Sequence, residues 1–139
     1  MSYLVDTNVL SELRKGRRCD EGVASWFAGV SAEEIYLSVL TVGEIRKGIE
    51  NIRRRDQITA KVLEAWLLQL VATHSDRILP VDQAIAELWG RFNVPDPLSF
   101  LDSLLAATAS VNGMTLVTRN LKDVERTGVD CLNPFRDPP

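Results

Sequence analysis

The sequence predicts an α/β fold with a central parallel sheet of about five short strands flanked by helices. Two observations lead there. Short apolar runs of strand length recur from the first residues to the last, separated by segments of helical spacing. The runs are apolar throughout rather than alternating, as strands covered on both faces require. Sheets of this kind form their sites at the carboxyl ends of the strands, so the residues directly after each run carry the most functional information.

Ser2–Val5 is the first predicted strand, and Thr7 is placed to cap a helix over Asn8–Lys15. A charged loop, Gly16–Asp20, precedes a helix over Glu21–Ser31 that carries Trp26 and Phe27. Ile35–Ser38 is the second strand, with Thr41 as cap of a helix from Val42 to Asn51. Val62, Leu63, Trp66, Leu67 and Leu70 recur at helical spacing within Ile58–Thr73, and the apolar stretch Trp66–Val71 reads as buried helix. Ile78–Val81 is the third strand, and Asp82 caps a helix whose Ile85, Leu88, Trp89 and Phe92 recur on one face. Two prolines within Asn93–Pro97 end it. Ser99 caps the next helix, which stops at Asn112-Gly113. Thr115–Thr118 is the fourth strand, Leu121–Thr127 a short helix and Val129–Leu132 the fifth strand.

The 139 residues, 45% of them hydrophobic, suit a single domain over 1–139 with one core. Cys19 and Cys131 are too few for a disulfide scaffold or a zinc site. No apolar run is long enough to span a bilayer, and Met1-Ser2 leads into a strand without a leader-like segment, which predicts a cytoplasmic protein. The net charge of −3 conceals two basic clusters, Arg14, Lys15, Arg17 and Arg18, and Arg53, Arg54 and Arg55. Phosphate binding needs only local positive potential, so both are candidate nucleic-acid contacts, although exposed charge on helix ends has the same appearance.

Four apolar stretches each carry or lead to a single carboxylate. Asp6 follows Tyr3-Leu4-Val5, Glu44 follows the uncharged run 35–43, Asp102 is the one charged residue of 99–113, and Asp123 follows Thr115–Asn120 closely. Solvated acids usually sit among other charges, so isolation predicts desolvation. Two such charges about 4 Å apart repel by about 4 kcal/mol at an effective dielectric near 20. Convergence of the four would therefore call for a proton or a cation. Oxygen donors without histidine or cysteine favour a hard divalent ion, Mg²⁺ or Mn²⁺. On a helical wheel Asp102 shares its surroundings with Ser99, Ala106, Ala109 and Ser110, small residues that leave room for an approaching group. Glu44 shares a face with Thr41 and Gly48, opposite Val42, Ile45 and Ile49.

Other chemistries lack their parts. His74 is the only histidine, which excludes a two-histidine ribonuclease and leaves Ser–His–Asp chemistry only that residue to draw on; its position suits the end of the Ile58–Thr73 helix. A Walker-type glycine loop is absent from the sequence. A phosphoaspartyl phosphatase would need a second aspartate where Asn8 stands.

The run Leu4-Val5-Asp6-Thr7-Asn8-Val9-Leu10, the stretch 37–45 ending in Gly43-Glu44-Ile45, the run Asp102–Ala109 and Leu116-Val117-Thr118-Arg119-Asn120 with Asp123 occur in a familiar order. On these motifs the chain resembles the PIN-domain ribonucleases, specifically the VapC-type toxins of bacterial and archaeal toxin–antitoxin pairs. Val124 departs from the aromatic residue that often follows the last aspartate. The resemblance implies a PIN-like three-layer fold and a metal-dependent endoribonuclease. Asp6, Glu44, Asp102 and Asp123 would be its catalytic acids, with Asp6, Asp102 and Glu44 as metal ligands. Asn8, Thr118 and Asn120 would orient them. The implied reaction is attack of metal-activated water on phosphorus, leaving a 5′-phosphate and a 3′-hydroxyl. Also implied are a cognate VapB-type antitoxin, contact with operator DNA only through that antitoxin, and a homodimer within the larger complex. Segments near Trp26-Phe27 and Trp66–Leu68 are candidate interfaces. Two competing readings are a non-catalytic PIN-like module that binds antitoxin and, indirectly, operator DNA, and a structure-specific DNA nuclease.

Overall fold

β1 (Tyr3–Val5), β2 (Ile35–Ser38), β3 (Ile78–Leu79), β4 (Thr115–Val117) and β5 (Cys131–Leu132) form one sheet in the order β3-β2-β1-β4-β5. All four pairings are parallel, with Tyr3 opposite Ile35 on one side and Leu4 and Val5 opposite Leu116 and Val117 on the other. The computed structural model describes residues 1–136. The chain moves outward from β1 through β2 to β3, then returns to lay β4 and β5 on the opposite side of β1. Strand order therefore reverses between β1 and β4, and a crevice opens above their carboxyl ends.

Alternation along the strands sorts the helices into two layers. Val5, Ile35, Leu37 and Val117 pack with residues of α1 (Thr7–Leu13), α2 (Glu21–Ala28), α3 (Val39–Arg53) and α4 (Gln57–Thr73). Leu4 and Leu116 point the other way, against Leu105, Ala106 and Ala109 of α6 (Phe100–Val111). α5 (Gln83–Phe92) closes over α6 through Ile85, Leu104 and Ala107. Seven consecutive residues of α6, Ser103 to Ala109, are buried, so the helix that carries Asp102 is packed on every side through its middle turns.

The elements follow the predicted order, with local corrections. Asp6 rather than Thr7 caps α1, because its carboxylate accepts the Thr7 N–H at 2.7 Å. Ser38 rather than Thr41 caps α3 by accepting the Leu40 N–H at 3.0 Å. Thr41 is then a buried residue inside the helix, and α3 starts directly after β2. α2 stops at Ala28, since Gly29 follows it. The segment 121–127 forms two 3₁₀ turns, Leu121–Asp123 and Glu125–Thr127, ended by Gly128 at φ 72°. Of the stretch Trp66–Val71 only Leu67 lies in the core; Leu68 is 60% exposed.

Candidate active site

Asp6 stands at the switch between β1 and β4. Its N–H donates to the Val117 carbonyl at 2.9 Å, which extends the ladder by one residue before the chain turns into α1. The side chain is 4% exposed and fully engaged. Oδ1 accepts the Thr7 N–H at 2.7 Å, while Oδ2 accepts the Thr118 hydroxyl at 2.7 Å and the Asn8 amide at 3.4 Å. Burial pushes this carboxyl up from its usual 3.8 to about 6. The Thr118 and Thr7 hydrogen bonds restrain that rise, and the negative charges of Asp102 and Glu44 add to it.

Asp102 enters from the opposite side, in the first turn of α6. It is half-buried, and burial raises its carboxyl above the usual range. A hydrogen bond from Ser99 and one from Asn120 act against that rise, whereas the charges of Asp123 and Glu44 reinforce it. Glu44 lies in the second turn of α3 and is exposed, although its charge reaches both aspartates. Asp123 is also exposed, on its 3₁₀ turn. Desolvation, expected for all four acids, therefore applies to Asp6 and in part to Asp102. A charge-free local sequence does not fix which way a helix face points, and Glu44 lies opposite the buried Ile45–Ile49 edge of α3.

A cleft of about 270 Å³ joins Asp6, Glu44 and Asp102, with Thr7, Asn8, Leu101 and Asn120 completing its wall. Asp123 reaches Asp102 electrostatically from outside that wall. Asn8, Thr118 and Asn120 form a small relay beneath the acids. The Asn8 amide donates to Asp6 and to the Thr118 hydroxyl oxygen, each at 3.4 Å, and the Asn120 N–H donates to that same oxygen at 3.1 Å. The Asn8 side-chain Oδ1 accepts the Arg119 main-chain N–H at 3.3 Å, and this link over the β1–β4 seam is one that sequence reasoning missed. Leu101 was likewise missed, because an apolar wall residue beside an acid leaves no signal in a sequence.

The donor set suits a hard divalent cation: every candidate ligand is a carboxylate oxygen, and Asp6 is buried with two other negative charges near it. Among the described residues no three such groups stand close enough to chelate one ion directly. Mg²⁺ keeps several waters and binds through one or two carboxylates, so a partly hydrated ion held by Asp6 and Asp102, with Glu44 near, fits these residues.

None of the seven basic candidates lines the cleft. Lys15 pairs with Glu12 at 3.0 Å, and the Arg14 guanidinium lies 5.8 Å from the centre of the Trp66 ring. Arg17 and Arg18 are exposed on the 3₁₀ turn Gly16–Arg18. Arg53 pairs with Glu50 and Glu64, while Arg54 and Arg55 remain exposed. A rise of roughly 1.5 Å per residue sets Arg53 about 13 Å along α3 from Glu44. His74 caps the end of α4, its Nδ1 2.9 Å from the Leu70 carbonyl. A second, apolar cavity of about 290 Å³ opens between α1, α2 and α4, where Leu10, Trp26, Phe27, Trp66 and Leu70 meet. The Trp26 indole N–H is buried there without an acceptor.

The sequence pattern of the PIN domain matches residues 3–129. The toxin FitB of Neisseria gonorrhoeae is 30% identical, over 96% of this chain and 99% of its own. The VapC ribonuclease Y4jK of Sinorhizobium fredii is 32% identical, over 95% and 96% respectively. In three dimensions the chain superposes on a solved structure of FitAB bound to a DNA fragment with a TM-score of 0.85 and 28% identity, covering 97% of this chain and 96% of the other.

Proposed function

The chain belongs to the PIN-domain family, and on that premise we propose that it is a metal-dependent endoribonuclease toxin of the VapC type, neutralised by a cognate VapB-type antitoxin. The observation that carries this reading is the meeting of Asp6, Glu44 and Asp102, from three separate elements, on one cleft at the switch of the sheet, with Asp123 within electrostatic reach. Names of relatives point the same way: Y4jK is a VapC ribonuclease and FitB a toxin.

Mg²⁺ or Mn²⁺, held by Asp6 and Asp102 with Glu44 reaching it through bound water, would supply positive charge to a scissile phosphate and acidify a water. The chain's own residues do the rest. Thr118, Asn8 and the Thr7 N–H hold both oxygens of Asp6 in one orientation, so that its negative charge faces the cleft in a fixed direction. Ser99 and Asn120 restrain Asp102 in the same way. Glu44 and Asp123 are exposed and retain freedom to take a proton from the attacking water. Water rather than the RNA 2′-hydroxyl is the nucleophile, so the products would carry a 5′-phosphate and a 3′-hydroxyl.

The apolar cavity beside Trp26 and Trp66 would receive the antitoxin, and operator DNA would be reached only through that partner; a solved FitAB structure is bound to a DNA fragment. The whole chain, residues 1–139, would act as one cytoplasmic nuclease domain within a homodimer. Incubation of the purified, antitoxin-free chain with total cellular RNA, with Mg²⁺ or Mn²⁺ and then with EDTA, tests the proposal. Discrete metal-dependent fragments support it. Intact RNA under all conditions would shift the reading to a binding module, and cleavage of branched or flapped DNA alone would shift it to a DNA nuclease.

A further inference from the structure

Beyond the matched segment 3–129, the chain adds β5 and then a strap, residues 133–136, that returns across α2. Its path is closely specified. The Asn133 side chain accepts the Phe135 N–H at 3.0 Å, which turns the strap inward. Asp20, the cap of α2, uses a single carboxylate oxygen to accept the N–H groups of Gly22, Val23 and Arg136 at 2.8, 3.1 and 2.9 Å. The start of α2 and the strap are thus tied to one atom. A Cβ at position 22 would lie 2.3 Å from the Pro134 carbonyl oxygen and 2.8 Å from the Arg136 nitrogen, both main-chain atoms, so only glycine admits the strap.

The strap delivers Phe135 to Arg119, whose guanidinium carbon lies 4.4 Å from the ring centre. Arg119 stands between Thr118 and Asn120, and its main-chain N–H donates to the Asn8 side-chain Oδ1. That donor fixes which end of the Asn8 amide faces which way: with the carbonyl oxygen engaged, the NH₂ group is left for Asp6 and Thr118. A reversed amide would present an oxygen to the Asp6 carboxylate and repel it. We infer that Phe135 is a positioning residue for the nuclease site, acting through Arg119 and the Asn8 amide on the Asp6 carboxylate. The inference rests on the proposed role of Asp6, but the bond it concerns is observable without catalysis.

Phe135 also packs on the main core, so its ring contact has to be separated from its volume. Phe135→Leu keeps apolar volume and removes the π face, Phe135→Tyr keeps both, and Gly22→Ala displaces the strap without touching Phe135. The full-length chain carrying each change is followed by amide hydrogen exchange and by cleavage kinetics. In Phe135→Leu and Gly22→Ala, exchange at the Arg119 amide is expected to rise about tenfold while Leu67 in α4 is unchanged, and kcat is expected to fall about tenfold with KM held within about twofold. Phe135→Tyr is expected to match the unmodified protein in both. Unchanged exchange at Arg119 in Phe135→Leu would overturn the inference, as would an equal rise at Leu67 or a loss confined to KM. If the unmodified chain cleaves no RNA, the nuclease reading fails, and the exchange at Arg119 still decides whether the strap controls the loop.

Discussion

Thr118 and Asp6, 112 residues apart in the chain, share a 2.7 Å hydrogen bond beneath the cleft. The bond exists because β1 and β4 are neighbours in the sheet, with Val5 beside Val117, so the residues that leave the two strands emerge side by side. One strand supplies a buried carboxylate and the other the hydroxyl that makes its burial tolerable. Thr118→Val preserves shape while removing the donor, and it also leaves the Asn120 N–H without that acceptor. Loss of a hydrogen bond to a charged group costs about 1–3 kcal/mol of stability. Cleavage is expected to fall about 10- to 100-fold, in line with other residues that orient metal ligands. Urea unfolding and single-turnover cleavage of the same variant check both numbers.

Burial of Asp6 makes stability depend on pH. Its carboxyl titrates at about 6 in the folded protein against 3.8 when exposed, so the folded form retains a proton that the unfolded chain has already released. This contribution is fully present below pH 3.8 and is lost as pH rises through about 6. The gap is worth on the order of 3 kcal/mol. Metal-free protein is therefore expected to gain stability, through this group, as pH falls from 7 to 5. Asp6→Asn removes the group and is expected to be the more stable protein at pH 7, with a flatter profile. Urea midpoints of the two proteins measured across pH 4–8 give the comparison; a difference that does not vary with pH would count against a strained, buried Asp6.

A cation bound at this cleft relieves the same strain. Mg²⁺ or Mn²⁺ at about 100 times its dissociation constant is expected to stabilise the folded protein by about 2.7 kcal/mol. Asp6→Asn and Asp102→Asn should each abolish most of that gain. Thermal unfolding with and without the metal, in chelator-treated samples, measures it without reference to activity.

Much of the fold is legible in the sequence because parallel strands buried on both faces leave short runs that are apolar throughout, such as Tyr3-Leu4-Val5 and Thr115-Leu116-Val117. Helix starts are less legible where several capping residues compete. Asp6 and Thr7 are adjacent, as are Ser38 and the helix containing Thr41, and only the main-chain path decides which oxygen meets an N–H. Asp6 is buried as its setting suggests because its strand ends inside the sheet. Glu44 is not, since the polar face of α3 turns outward. The Asn8–Arg119 and Phe135–Arg119 contacts left no trace in the sequence, because each joins residues that only tertiary structure brings together.

The basic clusters separate in the folded protein into engaged and available charges. Lys15 and Arg53 already face carboxylates, whereas Arg54 and Arg55 are exposed at the end of α3. Arg54→Glu combined with Arg55→Glu is expected to weaken RNA binding at low salt and reduce the slope of log affinity against log salt by about 1–2, while metal-induced stabilisation is unchanged. Filter binding across a salt series reads the slope. An unaltered slope would assign these arginines to solubility alone.

The most direct test is the chemistry of the ends left on cleaved RNA. Fragments made by the antitoxin-free chain in Mg²⁺ are expected to carry a 5′-phosphate and a 3′-hydroxyl, and to disappear with EDTA or with Asp6→Asn. A 2′,3′-cyclic phosphate, or cleavage that persists in Asp6→Asn, would contradict a carboxylate- and metal-dependent attack of water at this cleft.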